Sequence, residues 1–503
     1  MAYSDLREWI STLEGEGLVA RVECEVDWER EIGAITREVL NTKGPALLFE
    51  NIKDYGDTWC GKLFTNGLGS REKVSLALGL PKDTSFKEIT KVVKERLTRP
   101  SGVKVVDTGP VKENILKGRD VNLYDMPVPQ WRGQDGGRYI NTYCAVVTRD
   151  PDTGLLNVGT YRGMIADRDR IGVLLVLTQH WGHTFNKYRD RGEEMPVAVV
   201  YGWDPALLMV AGTPIIHSGY SEYEYISSLR QQDCELVKCE TSDLLVPASA
   251  EIVIEGSISS DPSTFVMEGP FGEYPGYFGG LASPKPAIRV ACITHRDSPI
   301  FRGSVEGATP HSWSEGAWYC APFISAAAWN LLETVGVPGV LDVWTDNVTA
   351  ATIMKVCIKK AYRGHAKQAA NAFWGSEMGS YFGKIVIVVD EDIDIHDGEA
   401  VEWAIAYRMN ADMDQLILFP GMLGSCLDPS VPLNERNVVK YGQGKWTRVL
   451  VDATINWELE PQEQYGGERF PPLCTKIHPD DERRIRERWG EYGIYVHQHM
   501  ERR

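Results

Sequence analysis

Short runs of β-branched residues fill the middle of the chain, and this pattern restricts the possible folds more than any other feature. Between residues 103 and 305 the runs alternate with turn sequences such as Gln134-Asp-Gly-Gly137 and Asp150-Pro-Asp-Thr-Gly154. Short strands at this spacing favour an antiparallel barrel or sandwich over a helical domain. The runs that carry this prediction are 143–148, 171–177, 197–201, 251–255 and 287–293.

Helix and strand patterns alternate on both sides of this region. Ser70 is a predicted N-cap, and Ser85 with Glu88 has the spacing of a capping box. We therefore predict an α+β multi-domain fold, with an N-terminal α/β domain (1–110), a central β domain (111–310) and a C-terminal α/β domain (320–503). The predicted helices are 4–13, 30–40, 70–79, 85–97, 222–229, 326–333, 363–373, 399–409 and 479–489. The predicted flanking strands are 18–22, 45–49, 339–344, 384–390 and 448–453.

Composition excludes several classes of partner and site. The chain has 503 residues and a net charge of -17, which argues against nucleic acid or an anionic membrane as a partner. None of its ten cysteines forms a C-x-x-C pair, so zinc ribbons and ferredoxin-type clusters are not expected. The N-terminus lacks a signal-peptide core, and no apolar run reaches the length of a membrane span. We expect a cytoplasmic protein with reduced thiols.

Two glutamates flank a Gly-Pro-Phe-Gly sequence in Glu268-Gly-Pro-Phe-Gly-Glu273. Proline and glycine exclude the interior of a helix, so this segment is predicted to be a rigid turn that carries both carboxylates. Two carboxylates in different environments can separate a general acid from an ionised partner. The alternative is a surface loop with two solvated glutamates.

Three further polar residues, Asn157, His180 and Glu222, come from separate segments. An amide oxygen, an imidazole and a carboxylate suit Mn²⁺ or Mg²⁺, with phosphate oxygens completing the coordination. The run 171–177 is predicted to be a strand that ends in Gln179-His180 at the rim of the barrel. Each residue also has a structural explanation, as a turn residue (Asn157), a rim or core histidine (His180) or an acid in the first turn of a helix (Glu222). His183 is an alternative to His180.

Taken together, these segments resemble the UbiD family of decarboxylases, which use prenylated flavin mononucleotide (prenylated FMN). The resemblance runs in order over nearly the whole chain, and the stretch from Glu235 to Glu273 is its most specific part. The motifs that carry it are Gly109-Pro-Val-Lys-Glu113, Asn157-Val-Gly-Thr-Tyr-Arg162, Gln179-His180, Ser221-Glu222-Tyr223, Glu235-Leu-Val-Lys-Cys239, Val246-Pro-Ala-Ser-Ala-Glu-Ile-Val-Ile-Glu-Gly256, Glu268-Gly-Pro-Phe-Gly-Glu273 and Val389-Asp-Glu-Asp-Ile-Asp394.

The resemblance implies a central split β-barrel that binds the flavin, and a C-terminal domain that forms a homodimer or a higher homo-oligomer. It implies a Mn²⁺ (or Mg²⁺) ion on the cofactor phosphate, held by Asn157, His180 and Glu222, and a K⁺ ion on Glu222 and the carbonyls of 211–213. Family members often bring a lysine to the phosphate. Here the alternatives are Lys384, or the metal together with Gln179. The implied cofactor-binding residues are Asn157, Tyr161, Arg162, Gln179, His180, Glu222 and Lys384.

The implied reaction is a reversible, non-oxidative decarboxylation of an aromatic, heteroaromatic or α,β-unsaturated carboxylic acid, through a covalent adduct with the cofactor. The resemblance assigns catalysis to Arg162, Glu268 and Glu273. Glu273 is the expected proton donor, while Arg162 keeps Glu268 ionised. The expected partners are the acid, CO₂ and a flavin prenyltransferase that supplies the cofactor. The candidate substrate-pocket residues are Tyr274, His311 and Trp313. Packing at a domain interface is the alternative for Trp313.

Two other functions compete with this hypothesis. One is a non-catalytic flavin-binding scaffold of the same fold, which has no need for Arg162, Glu268 and Glu273 together. The other is a flavin-independent metal hydrolase, although the chain lacks the H-E-x-x-H and H-x-x-E-H patterns. The sequence does not rank pyrrole, furan, indole, phenolic and polycyclic acids. It also leaves open the physiological direction and the choice between dimer and hexamer.

Overall fold

The computed structural model describes residues 2–215, 219–436 and 444–494. It divides into two compact units, Met1–Thr454 and Ile455–Arg503. The smaller unit therefore begins inside the predicted C-terminal domain, and the predicted domain boundaries near 110 and 310–320 fall within the larger one. No helix in the described ranges is both long and apolar enough to cross a bilayer.

Among the described elements, the larger unit contains α1 to α11 and the strands β1 to β25, and the smaller unit contains α12. The helices are α1 (Leu6–Gly15), α2 (Glu31–Asn41), α3 (Arg71–Ala77), α4 (Phe86–Arg96), α5 (His180–Arg191), α6 (Ala206–Ala211), α7 (Glu222–Arg230), α8 (Glu315–Thr334), α9 (His365–Trp374), α10 (Glu377–Tyr381), α11 (Gly398–Arg408) and α12 (Pro479–Arg488). The strands up to the middle of the chain are β1 (Val19–Val22), β2 (Ala46–Phe49), β3 (Lys62–Thr65), β4 (Val103–Val106), β5 (Asn114–Lys117), β6 (Tyr139–Asn141), β7 (Ala145–Arg149), β8 (Leu156–Gly159), β9 (Gly163–Asp167), β10 (Arg170–Val173), β11 (Met195–Tyr201) and β12 (Cys234–Lys238). The remaining strands are β13 (Leu245–Pro247), β14 (Ile252–Ile258), β15 (Val266–Glu268), β16 (Phe271–Gly272), β17 (Phe278–Gly279), β18 (Ser283–Lys285), β19 (Ala287–His295), β20 (Ile300–Arg302), β21 (Val340–Trp344), β22 (Ile353–Ile358), β23 (Ile385–Asp390), β24 (Leu416–Gly424) and β25 (Gly444–Asp452).

Helix caps in the N-terminal region follow the predicted pattern. The Ser70 hydroxyl accepts a hydrogen bond from the backbone N–H of Lys73, and Ser85 with Glu88 forms a complete capping box. Both predictions are confirmed, because a short side chain at the N-cap satisfies backbone donors that the helix leaves unpaired. The sheet of this region has the order β1-β2-β3-β20, so a strand from the end of the predicted central domain completes it.

The central region forms a nine-stranded sheet with the order β6-β9-β10-β19-β14-β11-β7-β8, to which β5 adds by pairing with β19. Its strand pairs are antiparallel, which confirms that part of the prediction. Among the described strands, no pairing joins β6 to β8. Strand β11 is buried on both faces: Ala198 and Val200 point into one hydrophobic core, and Val197 and Val199 into the other.

The C-terminal region adds a five-stranded sheet with the order β21-β22-β23-β25-β24. Its three inner strands run parallel and its outer pairs are antiparallel. Helix α8 is longer than the predicted segment 326–333, since it begins at Glu315, with Ser314 as its N-cap. The helix is buried along most of its length, so its apolar residues lack the one-sided pattern that marks a surface helix.

The predicted strand 171–177 is shorter than expected. Strand β10 ends at Val173, and His180 is the first residue of α5, so the prediction that a strand carries Gln179 and His180 at its rim is wrong. The chain turns back on itself here, and Gly182 lies against the preceding backbone. A Cβ atom at Gly182 would come within 2.1 Å of the Val176 carbonyl oxygen, so glycine permits this close return.

Candidate active site

A cavity of about 400 Å³ opens between the central sheet and the C-terminal region. We call it the main cavity, and its volume lies within the range of ligand clefts, roughly 300–1,000 Å³. Eight of the side chains predicted from the sequence line it, as do the residues 211–213 predicted for K⁺, whereas Glu268, Lys384, His311 and Trp313 do not. The eight are Asn157, Tyr161, Arg162, Gln179, His180, Glu222, Glu273 and Tyr274.

Arg162 joins the two glutamates of the Gly-Pro-Phe-Gly segment. Its Nε and Nη2 atoms donate to the two carboxylate oxygens of Glu268, each at 2.9 Å, and its Nη1 atom donates to Glu273. Such a paired contact fixes a carboxylate in orientation as well as in position. Glu268 is 1% exposed and lies behind Arg162, whereas Glu273 lines the main cavity. The two acids therefore share one arginine, but only Glu273 faces the space where a ligand would sit.

A third group, Tyr139, completes the shell around Glu268. Its hydroxyl donates to Glu268 Oε1 at 2.9 Å, and its ring packs on Phe271 with the ring centroids 4.2 Å apart. Burial, followed by the negative charge of Glu268, raises the pKa of the Tyr139 phenol far above its ordinary value, so the phenol remains a donor. Sequence reasoning missed Tyr139, because it lies on β6 outside any motif.

The segment that carries the two acids is more than a turn. Glu268 ends β15, Phe271 begins β16, and the Gly269-Pro270 peptide between them is cis. Gly269 has a φ of 101°, which an L-residue with a side chain rarely adopts. The change of direction between the two strands allows both carboxylates to reach Arg162.

Asn157, His180 and Glu222 meet at another part of the main cavity. Asn157 Oδ1 lies 3.1 Å from His180 Nδ1, and Glu222 Oε2 accepts a hydrogen bond of 2.7 Å from the N–H of Val158. Asn157 lies on β8, while His180 and Glu222 are the first residues of α5 and α7. In the described ranges no three His, Cys, Asp or Glu residues cluster in a way that could hold a metal ion, so such a site would require the Asn157 amide.

Glu377 is a further acid at this end of the main cavity. It contacts His180 Nε2 from the start of α10, and its side chain is about half exposed. The cavity wall also includes Ala211, the last residue of α6, and the two residues after it, Gly212 and Thr213. The sequence contained no signal for Glu377, because nothing local links α10 to the start of α5.

Tyr161 adds an aromatic wall beside the polar cluster. Its ring stacks on Trp181 with a centroid distance of 4.1 Å and an interplanar angle of 5°. Asn157 Nδ2 approaches the Tyr161 hydroxyl at 3.4 Å. Gln179, the residue before α5, lines the same wall. This part of the main cavity therefore combines a flat surface with polar groups.

Four residues considered in the sequence lie elsewhere. Lys384 does not line the main cavity, because its ammonium group donates to Asp428 at 2.9 Å and to Ser430 at 2.7 Å. His183 and His311 are exposed. Trp313 packs against Trp318 with a centroid distance of 4.9 Å, so packing accounts for it. The predicted substrate-pocket role remains for Tyr274, whose hydroxyl lies 2.9 Å from Ser425 Oγ.

The C-terminal region contributes several residues to the main cavity that sequence reasoning did not identify. Tyr381 donates from its hydroxyl to the carbonyl of Thr178, and so joins α10 to the segment before α5. Ser425 of this region contacts the hydroxyl group of Tyr274. Burial raises the pKa of Tyr274 to about 12, so its phenol stays protonated near neutral pH. The C-terminal lining residues are Tyr319, Cys320, Ile324, Ala350, Glu377, Tyr381, Phe382, Ser425, Cys426 and Leu427.

Family models match three successive parts of the chain. Residues 10–93 match the N-terminal domain of the 3-octaprenyl-4-hydroxybenzoate carboxy-lyase UbiD, residues 103–309 its Rift-related domain, and residues 317–453 its C-terminal domain. The chain is 31% identical over 507 residues to the pyrrole-2-carboxylic acid decarboxylase of Pseudomonas aeruginosa. That alignment covers 97% of this chain and 98% of the relative.

Two solved structures are similar over nearly the whole chain. The closed form of the vanillic acid decarboxylase of Sedimentibacter hydroxybenzoicus has a TM-score of 0.87 and 32% identity, and covers 98% of this chain and 100% of that one. An evolved dimeric form of the UbiD-class enzyme HmfF from Pelotomaculum thermopropionicum, in complex with prFMN, has a TM-score of 0.73 and 31% identity, and covers 95% and 100%. With three domain models matched in order, the chain belongs to the UbiD family of carboxy-lyases.

Proposed function

We propose that this protein is a prenylated-FMN-dependent decarboxylase that acts, reversibly and without net oxidation, on an aromatic, heteroaromatic or α,β-unsaturated carboxylic acid. The observation that carries the proposal is the Arg162 bridge between Glu268 and Glu273 in the wall of the main cavity. The Asn157, His180 and Glu222 cluster in the same cavity supports it, as do the decarboxylases among the relatives.

The residues present fit a flavin phosphate held through a divalent ion. Asn157 and His180 are 3.1 Å apart, and together with Glu222 they supply the mixed oxygen and nitrogen donors that Mn²⁺ and Mg²⁺ accept. The backbone carbonyls of residues 211–213, together with the Glu222 carboxylate, would bind K⁺. The nine-stranded central sheet would form the split barrel that surrounds the flavin.

Lys384 is paired with Asp428, so we assign the cofactor phosphate to the metal and to Gln179. Tyr161, stacked on Trp181, offers a flat surface to a ring system. The bound cofactor supplies the electron sink that decarboxylation requires and that no ordinary side chain provides. The protein in turn holds the carboxylic acid, excludes water and delivers a proton.

The two glutamates take different roles because their surroundings differ. Glu268 accepts hydrogen bonds from Arg162 and Tyr139 and has no face on the main cavity, so its role is to position Arg162. Glu273 lines the cavity and is the proton donor to the substrate carbon that loses CO₂. In this step the Glu273 O–H bond breaks and a C–H bond forms on the product.

The substrate pocket is the part of the main cavity between Glu273 and the C-terminal region. Its walls include Phe271, Tyr274 and Tyr319, with polar atoms from Ser425 and Cys426. Aromatic walls with a few polar groups suit a flat ring that carries a hydroxyl or a ring heteroatom. An aromatic or heteroaromatic acid is therefore preferred over a simple acrylic acid.

The proposal is tested by producing the protein together with a flavin prenyltransferase. The purified protein should carry a flavin with the mass of the prenylated form, and it should release CO₂ from at least one acid of a panel of pyrrole, furan, indole, phenolic, polycyclic and α,β-unsaturated acids. The protein produced without the prenyltransferase serves as the control. A flavin-free protein, or a loaded protein that is inactive on every acid of the panel, contradicts the proposal.

We also propose that the protein is a homodimer, or a higher oligomer, joined through strand β24. This strand lies at the edge of the C-terminal sheet, where among the described strands it pairs only with β25. Leu418 on β24 is 60% exposed, and an apolar edge of this kind is suited to pairing with a second copy.

Leu418→Lys should weaken the association of subunits by at least about tenfold, or ~1.4 kcal/mol, because a charge replaces apolar area at the edge. Light scattering coupled to size exclusion measures the shift towards the monomer. Leu433→Lys, another exposed leucine outside β24, is the matched control. An unchanged mass for Leu418→Lys over a dilution series would argue against this surface.

A further inference from the structure

A second cavity of about 200 Å³ lies on the far side of Glu273 from the main cavity. Two acidic residues, Glu273 and Glu306, line both cavities and so form the partition between them. The rest of its lining comprises Arg37, Arg132, Gly272, Gly276, Tyr277, Phe278, Gly307, Thr309 and Ser312. Glu306 has no part in the proposed decarboxylation step itself.

The backbone holds Glu306 next to Glu273. The N–H of Ala308 donates to the Tyr274 carbonyl at 3.1 Å. This hydrogen bond joins the segment that carries Glu306 to the segment that carries Glu273. Gly307, with a φ of 92°, lies so close that a Cβ atom there would be 3.0 Å from the Glu273 carbonyl oxygen. The two carboxyl groups therefore sit on adjacent, closely packed stretches of backbone.

Two arginines fix this arrangement from the side of the second cavity. Arg37 and Arg132 each donate to the carbonyl oxygen of Glu306, and Arg37 Nη1 also donates to the Gly307 carbonyl at 2.7 Å. Their side chains place two positive charges beside the second cavity. A negative charge that forms there is stabilised by these guanidinium groups.

The surroundings of Glu306 favour a carboxyl group that can hold a proton. Burial raises the pKa of Glu306, although the charges of Arg132 and Arg37 oppose this effect. The side chain is half-buried and borders both cavities. The charged and titratable groups near it, from the elements packed around it, are Arg37, Arg132, Glu273, Glu315, Tyr319 and Cys320.

We propose that Glu306 is a proton relay that recharges Glu273 from the second cavity. The inference rests on the proposed function, in which each turnover converts a carboxylate and one proton into the decarboxylated product and CO₂. A ligand in the main cavity excludes water from that side of Glu273. A route through the second cavity supplies the proton while the main cavity is occupied.

The relay consists of two proton transfers. After Glu273 has given its proton to carbon, the Glu306 O–H bond breaks and an O–H bond forms on Glu273. The Glu306 carboxylate, which Arg37 and Arg132 stabilise while it is charged, then takes up a proton that enters from solvent through the second cavity, so each turnover consumes one solvent proton. Glu306 thus acts through Glu273, and the relay does not require Glu306 to touch the substrate.

The test compares Glu306→Gln with the wild type, both loaded with prenylated FMN, by rapid mixing with an acid that the wild type decarboxylates. The relay acts only after Glu273 has given its proton to carbon, so the first turnover of Glu306→Gln should run at the wild-type rate. Later turnovers should be slower by roughly 100-fold, which is the low end of the contribution of a proton-transfer group. The product should therefore appear as a burst of one equivalent per active site, and Glu306→Asp should restore part of the steady-state rate.

Glu333→Gln, the same change at an exposed glutamate of α8, is the matched control and should show no burst. A first turnover slowed as much as the later ones would assign Glu306 a purely structural role and overturn the relay. A steady-state rate within about twofold of the wild type would overturn it as well.

A second measurement separates this inference from the proposed function. Infrared difference spectra of the cofactor-free protein, recorded over a pH series in H₂O and D₂O, should contain a protonated-carboxyl band that Glu306→Gln removes. The band should exchange readily with D₂O, because Glu306 borders a cavity. If the band is absent from the wild type, or is unchanged in Glu306→Gln, the relay is overturned whatever acid the enzyme accepts. If the band behaves as expected but no acid is turned over, the proposed function fails and the proton-holding site stands.

Discussion

Glu273→Gln should lower the rate of turnover by at least roughly 100-fold, or ~2.7 kcal/mol in activation free energy, while the flavin remains bound. The amide keeps the size of the side chain and its place in the wall of the main cavity, but it cannot deliver a proton to carbon. Because Glu273 lies apart from the Asn157, His180 and Glu222 cluster, the substitution leaves the groups assigned to the phosphate unchanged.

Steady-state product formation and the visible spectrum of the purified variant measure the two parts of this prediction. Glu235→Gln, at an exposed glutamate paired with Lys104, is the control for the chemical change itself. A Glu273→Gln variant that turns over at nearly the wild-type rate would remove Glu273 from the role of proton donor. A variant that loses its flavin would instead point to a role in binding.

Glu306→Gln and Glu273→Gln should differ in the turnover that they slow. Both substitutions remove a carboxyl group from the partition between the two cavities. Glu273→Gln should slow the first turnover, because the proton donor itself is missing. Glu306→Gln should leave the rate of the first turnover unchanged and lower the rate of the turnovers that follow. The order in which the two acids act is thus read directly from the time course.

The second large effect is expected at the proposed metal site, where His180→Ala should cause loss of flavin during purification. Loss of an outer-shell partner of a metal ligand typically costs 10–100-fold in metal affinity, and loss of a direct ligand is expected to cost at least as much. His183→Ala is a matched control, since His183 lies one turn further along α5 and is exposed. The ratio of visible to protein absorbance and the manganese content measure the effect.

Glu222 requires a different substitution, because its carboxylate also accepts the hydrogen bond of the Val158 N–H. Glu222→Ala would leave that buried donor unpaired, at a cost of about 1–3 kcal/mol in the free energy of unfolding. Glu222→Gln retains an acceptor oxygen and removes only the negative charge. It should lose metal and flavin while its melting temperature in the cofactor-free form stays close to that of the wild type. Full flavin content and activity in both Glu222→Gln and His180→Ala would contradict the metal site.

Local rules made part of the fold predictable. Ser70, Ser85 and Glu88 were predicted at helix starts because capping depends on residues three positions apart in the chain. The antiparallel character of the central sheet was predicted for a similar reason, since short β-branched runs between turn residues carry their pattern within a few positions. Family resemblance brought together Arg162, Glu268 and Glu273, which the structure unites through one guanidinium group.

Errors arose where distant parts of the chain decide the local structure. The run 171–177 has a continuous apolar pattern, yet only its first residues remain in the sheet, because Gly182 allows α5 to fold back over Val176. Helix α8 was predicted too short, because its burial removes the usual polar face. Lys384 could not be placed from sequence, since its partner Asp428 lies 44 residues further along the chain.

The sequence by itself determined the class of the fold, the helix caps and the Gly-Pro-Phe-Gly segment with an acid at each end, all of which depend on near neighbours. Only the tertiary structure decided which acid faces the main cavity, that Tyr139 completes the shell around Glu268, that Glu377 contacts His180 and that Glu306 borders both cavities. The physical reason is the distance along the chain. Tyr139 and Glu268 are 129 residues apart, and His180 and Glu377 are 197 apart, so no local pattern records these contacts.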